Sequence, residues 1–343
     1  MAKFIKGGTI EMSAFPSVKS YAAAVGKKEG EGPLGKHFDY IGEDVSLGTE
    51  SWEKAESELQ RLAFTLALQK GKLAETDVDL IFAGDLLNQC IASGYSVRDY
   101  DIPFIGLYGA CSTMAQSLAM AAVFIENGLG GNVAAITSSH FCSAERQFRF
   151  PVNYGSHRTP TSQWTATAAG CAIVCPTILP ESPEECAPKI QAVTFGKVKD
   201  YGVKDANNMG AAMSGAAYDA ISMHLWNTAK QIDDFDYIVT GDLGAVGSEV
   251  LYDLFDKDKI SLRRKHKDCG LMLFDLEQQD VHAGGSGCGC AAGVLCGYFL
   301  PELARGNIKN ILFAATGALM SPTIIQQGES IPGIAHVVHI SAT

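Results

Sequence analysis

The stretch Asp79-Leu-Ile-Phe-Ala-Gly-Asp-Leu86 returns later in the chain as Asp236-Tyr-Ile-Val-Thr-Gly-Asp-Leu243, with five of eight positions identical. Each copy reads as a short apolar strand run that ends at a Gly-Asp turn. The repetition extends outward. Gly109-Ala-Cys-Ser-Thr113 opens a long apolar helix and precedes the strand run Asn132-Val-Ala-Ala-Ile-Thr137. Gly287-Cys-Gly-Cys-Ala291 opens a second such helix and precedes Asn310-Ile-Leu-Phe-Ala-Ala315. A period this long marks a duplicated half-domain, not a solenoid repeat. The chain therefore reads as two fused α/β halves, residues 1–185 and 186–343, with function expected where they meet.

The length of 343 residues suits two such units, and 47% hydrophobic with 19% charged residues is the balance of a packed globular protein. A net charge of −11 lacks the basic footprint that nucleic acid requires, while leaving room for a small anionic ligand. The ten cysteines form no regular framework and no cationic-then-apolar leader is read, which points to free thiols in a reducing setting. No Cys or His cluster has zinc spacing, and Cys288-Gly-Cys290 alone is weak, so neither a metal nor a cofactor is expected. Residues 102–125 carry no charge and are long enough to span a bilayer. That run includes Pro103, Gly106, Gly109 and Gln116 and parses as strand, turn and helix. With the similar run 283–301, it predicts buried central helices of a soluble fold.

An N-cap at Thr49 or Ser51 predicts a helix through about Lys70. Strand 78–84, helix 88–98, strand 104–108, helix 111–127, strand 132–138 and strand 168–175 follow. The second copy reads as strand 189–200, helix 213–231, strand 236–240, helix 246–255, strand 269–275, helix 288–304 and strands 309–315 and 334–341. This alternation predicts parallel pairing with helices covering the sheets. The Gly- and charge-rich segment 26–35 reads as a mobile surface loop, and a Pro-rich link joins the halves.

Cys111 lies on a tight turn at a helix N-terminus, where free N–H groups and partial positive charge lower a thiol pKa. The alternative is a small buried hydrophobe. Between Ser138 and Thr165, Arg146, Arg149 and Arg158 oppose only Glu145. Arginine forks suit planar carboxylates, aromatic side chains such as Tyr108, Tyr154 and Trp164 suit a flat ring, and Gln147 and Gln163 supply donors. The same segment also reads as an interface arm or a solvated face, with Glu145 and Arg149 paired along a helix. His140 follows strand 132–138 at the end where open α/β sheets place ligands.

Gly109-Ala-Cys-Ser-Thr113, on a buried helix of a duplicated α/β chain, resembles the thiolase and ketoacyl synthase fold. The resemblance implies a layered αβαβα architecture and a homodimer paired through the strand near 132–138. The strings Ser138-Ser-His-Phe-Cys-Ser-Ala-Glu-Arg-Gln-Phe-Arg-Phe-Pro151, Tyr154-Gly and Pro160-Thr-Ser-Gln-Trp-Thr165 resemble the stage V sporulation protein AD family of spore-forming bacteria. That family implies a soluble component at the spore inner membrane, serving sporulation and germination. There it binds dipicolinic acid, a pyridine dicarboxylate, for uptake with membrane-embedded stage V partners.

Condensing enzymes pair their cysteine with histidine partners or asparagine. The first partner position falls at Gly241–Asp242, which holds no imidazole. The second falls in His282-Ala-Gly-Gly-Ser-Gly287, where Gly285 stands in its place and His282 lies nearby. The third landmark, Thr316-Gly-Ala-Leu319, has no cysteine. The expectation is a non-catalytic binding protein with ligand residues Cys111, His140, Arg146, Gln147, Arg149, Tyr154, Gln163, Trp164, His282 and Gly285. The alternative is an acyl-thioester enzyme with Cys111 as nucleophile and His282 or His140 as base.

Overall fold

The structure is a computed structural model that describes residues 2–5, 7–148, 158–179 and 187–342. In chain order the first half contributes β1 (Ser17–Val25), α1 (Trp52–Gly71), β2 (Leu80–Gly84), α2 (Ile91–Val97), β3 (Phe104–Gly106), α3 (Thr113–Glu126), β4 (Val133–Ser139), α4 (Phe141–Phe148) and β5 (Ala168–Cys175). The second contributes β6 (Lys189–Thr194), α5 (Met209–Thr228), β7 (Tyr237–Thr240), α6 (Gly244–Lys257), β8 (His266–Asp268), α7 (Cys288–Val294), β9 (Asn310–Ala318) and β10 (Gly333–Ser341).

The main strands run in the order β8-β7-β9-β10-β6-β1-β5-β4-β2-β3. Each half repeats one pattern: three parallel strands, then an antiparallel strand, then the half's first strand. Where the two halves adjoin, β6 pairs with β1 at Lys189 and Ser17. Strand alternation sends side chains to different cores. Ile81 and Ala83 of β2 face the outer core under α1, whereas Phe82 faces the middle core. Ile238 and Leu312 likewise point outward, toward α5 and α6, and Val239 and Phe313 point inward. The middle core holds α3 and α7 between the first-half and second-half portions of the sheet, which gives the αβαβα layering. Each fully buried side chain such as Phe82 or Phe313 contributes about 1.5–3 kcal/mol. Both uncharged runs therefore pass through the middle layer, and among the described residues no helix is long and apolar enough to cross a membrane.

Several expectations change. The predicted strand 269–275 is helical over Cys269–Leu273, because Asp268 accepts a hydrogen bond from the Leu271 N–H and caps that turn. The helix expected over 88–98 is confined to α2, since Gln89 and Cys90 hold left-handed φ of 58° and 51°. Segment 26–35 is a surface loop only in part: Lys27, Glu31 and Pro33 are exposed, but Lys27–Gly30 form a helical turn and Glu29 is buried and accepts from the Thr167 N–H at 2.9 Å. Burial pushes its carboxyl up to about 7. Strand β4 is bonded on both sides, to β2 and β5, so it cannot be the edge through which two copies pair. The open edge of the first half is β3. The boundary expected at residues 185 and 186 lies outside the described residues.

Packing between β5 and α7 depends on Gly170, where a methyl would lie 2.5 Å from the Ala292 carbonyl oxygen. Gly170→Ala should lower stability by about 1–3 kcal/mol through overpacking. Gly94→Ala, in α2 with no neighbour within reach, should raise it by about 0.4–1 kcal/mol. Urea denaturation of both variants checks this, and a neutral Gly170→Ala would mean that strand and helix do not approach so closely.

Candidate functional site

Three chain segments converge on one carboxylate. After β7 the chain turns through Gly241 and Asp242, and Asp242 is fully buried. Its Oδ2 accepts from the Gly287 N–H at 2.8 Å and the Ser286 hydroxyl at 3.0 Å. Its Oδ1 accepts from the Thr316 hydroxyl at 2.9 Å. The turn is held from behind by Asp268, which accepts from the N–H groups of Leu243 and Gly244 and from the Thr240 hydroxyl. Gln163 donates to the carbonyls of Asp242 and Gly285, both at 2.8 Å.

Facing this carboxylate is Cys111, on the turn between β3 and α3. The preceding Ala110 holds a left-handed φ of 49°, a strained conformation for a residue with a Cβ. Cys111 Sγ lies 4.0 Å from the Ser286 hydroxyl. Burial first, and then the Asp242 charge, push the thiol well above its ordinary value. This reverses the expectation of a lowered thiol pKa: the α3 N-terminus is outweighed by dehydration and a nearby anion. Burial raises Asp242 to about 6, against the opposing pull of its hydrogen bonds. At neutral pH the pair is therefore a thiol beside a carboxylate, the opposite of an activated cysteine.

Cys111, Ser286, Thr165 and Ala318 line a narrow cavity of about 40 Å³, room for a few waters, walled by Leu86, Tyr108, Phe148, Met209 and Met320. Through Tyr108, Phe148 and Met320 it meets a trough of about 550 Å³ that is also lined by Asn88, Gln89, Ser321 and Thr323. The trough in turn shares Asn88, Gln89 and Gln147 with a cavity of about 520 Å³ bounded by Arg146 and Glu53. Among the described residues no cation lines the first two spaces.

The sequence candidates scatter around this arrangement. Cys111 lines the cavity, and Gln163 and Gly285 stand behind it. Gly285 pairs with Trp164 in a short two-stranded ladder, and a methyl on it would crowd Phe274. His140 does not line the cavity. Its Nε2 lies 2.7 Å from the Val45 carbonyl and its Nδ1 accepts from the Cys142 N–H, while burial lowers its pKa. Arg146 pairs with Glu53 and lies over Trp52, at the far cavity. Gln147 accepts from the Asn88 N–H and donates to the Leu86 carbonyl. Trp164 is stacked on Phe141 at 3.9 Å, with Lys28 and Arg158 over its ring. His282 is exposed and pairs with Asp280 at 3.3 Å. Arg149 and Tyr154 lie outside the described residues. Sequence reasoning passed over Ser286 and treated Asp242 only as a missing histidine. The repeated Gly-Asp-Leu was the available signal, because an aspartate retained at the same turn in both copies is a structural anchor.

The family model for stage V sporulation protein AD matches residues 7–341. The chain is 42% identical over 321 residues to the stage V sporulation protein AD of Bacillus subtilis (strain 168), covering 94% of this chain and 93% of that one. Among solved structures it is similar to 3-oxoacyl-[acyl-carrier-protein] synthase III from Aquifex aeolicus VF5, with a TM-score of 0.56, 13% identity and coverage of 95% and 99%. It is also similar to cerulenin-bound OleA of Xanthomonas campestris, with a TM-score of 0.60, 13% identity and coverage of 96% and 97%. These structural likenesses carry the fold alone.

Asp242→Asn removes the anion beside the thiol while keeping an acceptor, so the Cys111 pKa should fall. Iodoacetamide labelling across a pH series, read at the Cys111 peptide by mass spectrometry, checks this. An unchanged profile would mean that Asp242 does not set the thiol's protonation.

Proposed function

The chain belongs to the stage V sporulation protein AD family, and on that premise we propose that it is a non-catalytic binding protein for dipicolinic acid. In this reading it holds the pyridine dicarboxylate at the mouth of the Cys111 cavity and delivers it to membrane-embedded stage V proteins during uptake into the developing spore. The observation that carries the non-catalytic part is Asp242. It stands where the resemblance to condensing enzymes expects a partner histidine, and a buried carboxylate with three donors favours the thiol over the thiolate. Acyl transfer needs the reverse.

Shape and chemistry support a ligand in the trough. The cavity floor is too narrow for a whole ring, whereas the trough sets Tyr108 and Phe148 beside the neutral donors Asn88, Gln89, Ser321 and Thr323. At the far end Arg146 is paired with Glu53, and a second carboxylate would compete with that acid for the guanidinium. With no membrane-crossing helix among the described residues, association with the spore inner membrane would run through partners. The open edge β3, with exposed Ile105 beside exposed Ile91 and Tyr95, supports a homodimer.

Calorimetry with dipicolinate and with a pyridine monocarboxylate tests the reading. Dipicolinate should bind the more tightly, and Tyr108→Ala and Arg146→Ala should each weaken it about tenfold, or about 1.4 kcal/mol. No binding by the wild-type chain, or a stoichiometric acyl adduct on Cys111 after incubation with acyl-coenzyme A, would overturn it.

Ile105→Asp should convert the dimer to a monomer in light scattering, with the circular dichroism spectrum unchanged. A dimer that survives the substitution would place the interface elsewhere.

A further inference from the structure

On the outer face of the second half, α5 and α6 end side by side above a groove of about 830 Å³. Ala229 and Lys259, just beyond the two helix ends, hold left-handed φ of 53° and 62°, so both chains turn sharply there. Leu225 and Ile232 form an apolar floor that is continuous with the outer core, and Ile260 adds to the wall. Trp226 stands on the rim at 86% exposure, the highest of any large apolar side chain among the described residues. An exposed tryptophan beside an apolar groove is the composition of an interface anchor, not of an ordinary surface.

The charge around the groove is selective. Lys230, Lys259 and Arg264 line it, and none has an ion pair among the described residues. The neighbouring Arg263, by contrast, is clamped by Glu249. Two acids, Asp233 and Asp258, also line it; Asp258 accepts the Tyr218 hydroxyl and keeps its charge, so the lining carries three cations against two anions. A chain with net charge −11 thus presents a locally cationic rim around an apolar floor.

We propose that this groove docks an amphipathic helix of a partner protein, with apolar residues on one face and flanking glutamate or aspartate. A concave apolar groove between helices suits a helix laid into it. Three unpaired cations favour acidic flanks, and they would govern association rate and partner choice more than raw affinity. The site lies on α5 and α6, apart from the trough, and stands whether or not the trough binds dipicolinate.

The probe is a synthetic helical peptide of about four turns, with leucine and phenylalanine on one face and glutamate beside them. A twin carries lysine in place of every glutamate. Binding to the full chain is read as the change in tryptophan emission that is absent in Trp226→Phe, and independently by calorimetry. The glutamate peptide should bind at least about tenfold more tightly than its twin, and Lys230→Glu with Arg264→Glu should reverse that preference. Phosphatidylglycerol vesicles should leave Trp226 emission unchanged, and Trp226→Ser should leave the oligomeric state unchanged in light scattering. Equal affinity for the twins, or no binding of the glutamate peptide, overturns the proposal. Vesicle binding lost in Trp226→Ser would make the face a membrane contact, and loss of oligomer would make it a contact between copies. Either result replaces the proposal.

Discussion

The Asp242 carboxylate, buried and fed by three donors, is the interaction on which the arrangement of the site depends. Burying such a group without partners costs several kcal/mol, so its neighbours must converge on it. They come from the turn before α7, from β9 and, through Asp268, from the loop that follows β7. One side chain therefore fixes the register of three segments that meet at the Cys111 cavity. It also settles the electrostatics there, because a site cannot hold a fixed anion beside a cysteine and favour the thiolate as well.

The first half carries the same device turned to another purpose. Asp85 ends β2 as Asp242 ends the β7 turn. It accepts from the Leu87 N–H and from both the N–H and hydroxyl of Ser93, so it organises its own loop. Behind it the buried Glu56 accepts from Ser138 and Ser143, which holds α4 against α1. Burial and the Asp85 charge raise Glu56, as expected for two carboxyls that share a dry site. The cysteine that opens α7, Cys288, donates to the Ser138 carbonyl at 2.9 Å and is fully buried. Duplication thus supplied two Gly-Asp turns and two cysteine-led helices, and it is Cys111 that lines the cavity described above.

The strand-and-helix succession was legible in the sequence because it rests on periodicity and on the repeat itself, both local. What escaped was governed by contacts distant in sequence. Strand β1, from a stretch with no sharp alternation, is identified by its pairing, chiefly with β5 more than a hundred residues away. Cys269–Leu273 is apolar enough for a strand, and only the Asp268 cap made it a helix. At the site, residue type singled out Cys111, which lines the cavity, but type alone could not tell a bonded His140 from a free one. Nor could it show that Arg146 spends its charge on Glu53.

The proposed ligand gives a physical reason for a cysteine that stays protonated. A dicarboxylate in the trough brings negative charge toward the cavity floor. A thiolate about 4 Å from a carboxylate would repel it by roughly 4 kcal/mol at an effective dielectric near 20. A neutral thiol removes that barrier and leaves a small, polarizable surface. Burial first, and then Asp242, keep the thiol neutral, and the Asp242 carboxylate is itself bonded by Ser286, Gly287 and Thr316. A histidine in its place would favour the thiolate and restore the conditions for acylation. Activating this cysteine would need a cationic partner at that position, and a buried carboxylate there works against the thiolate.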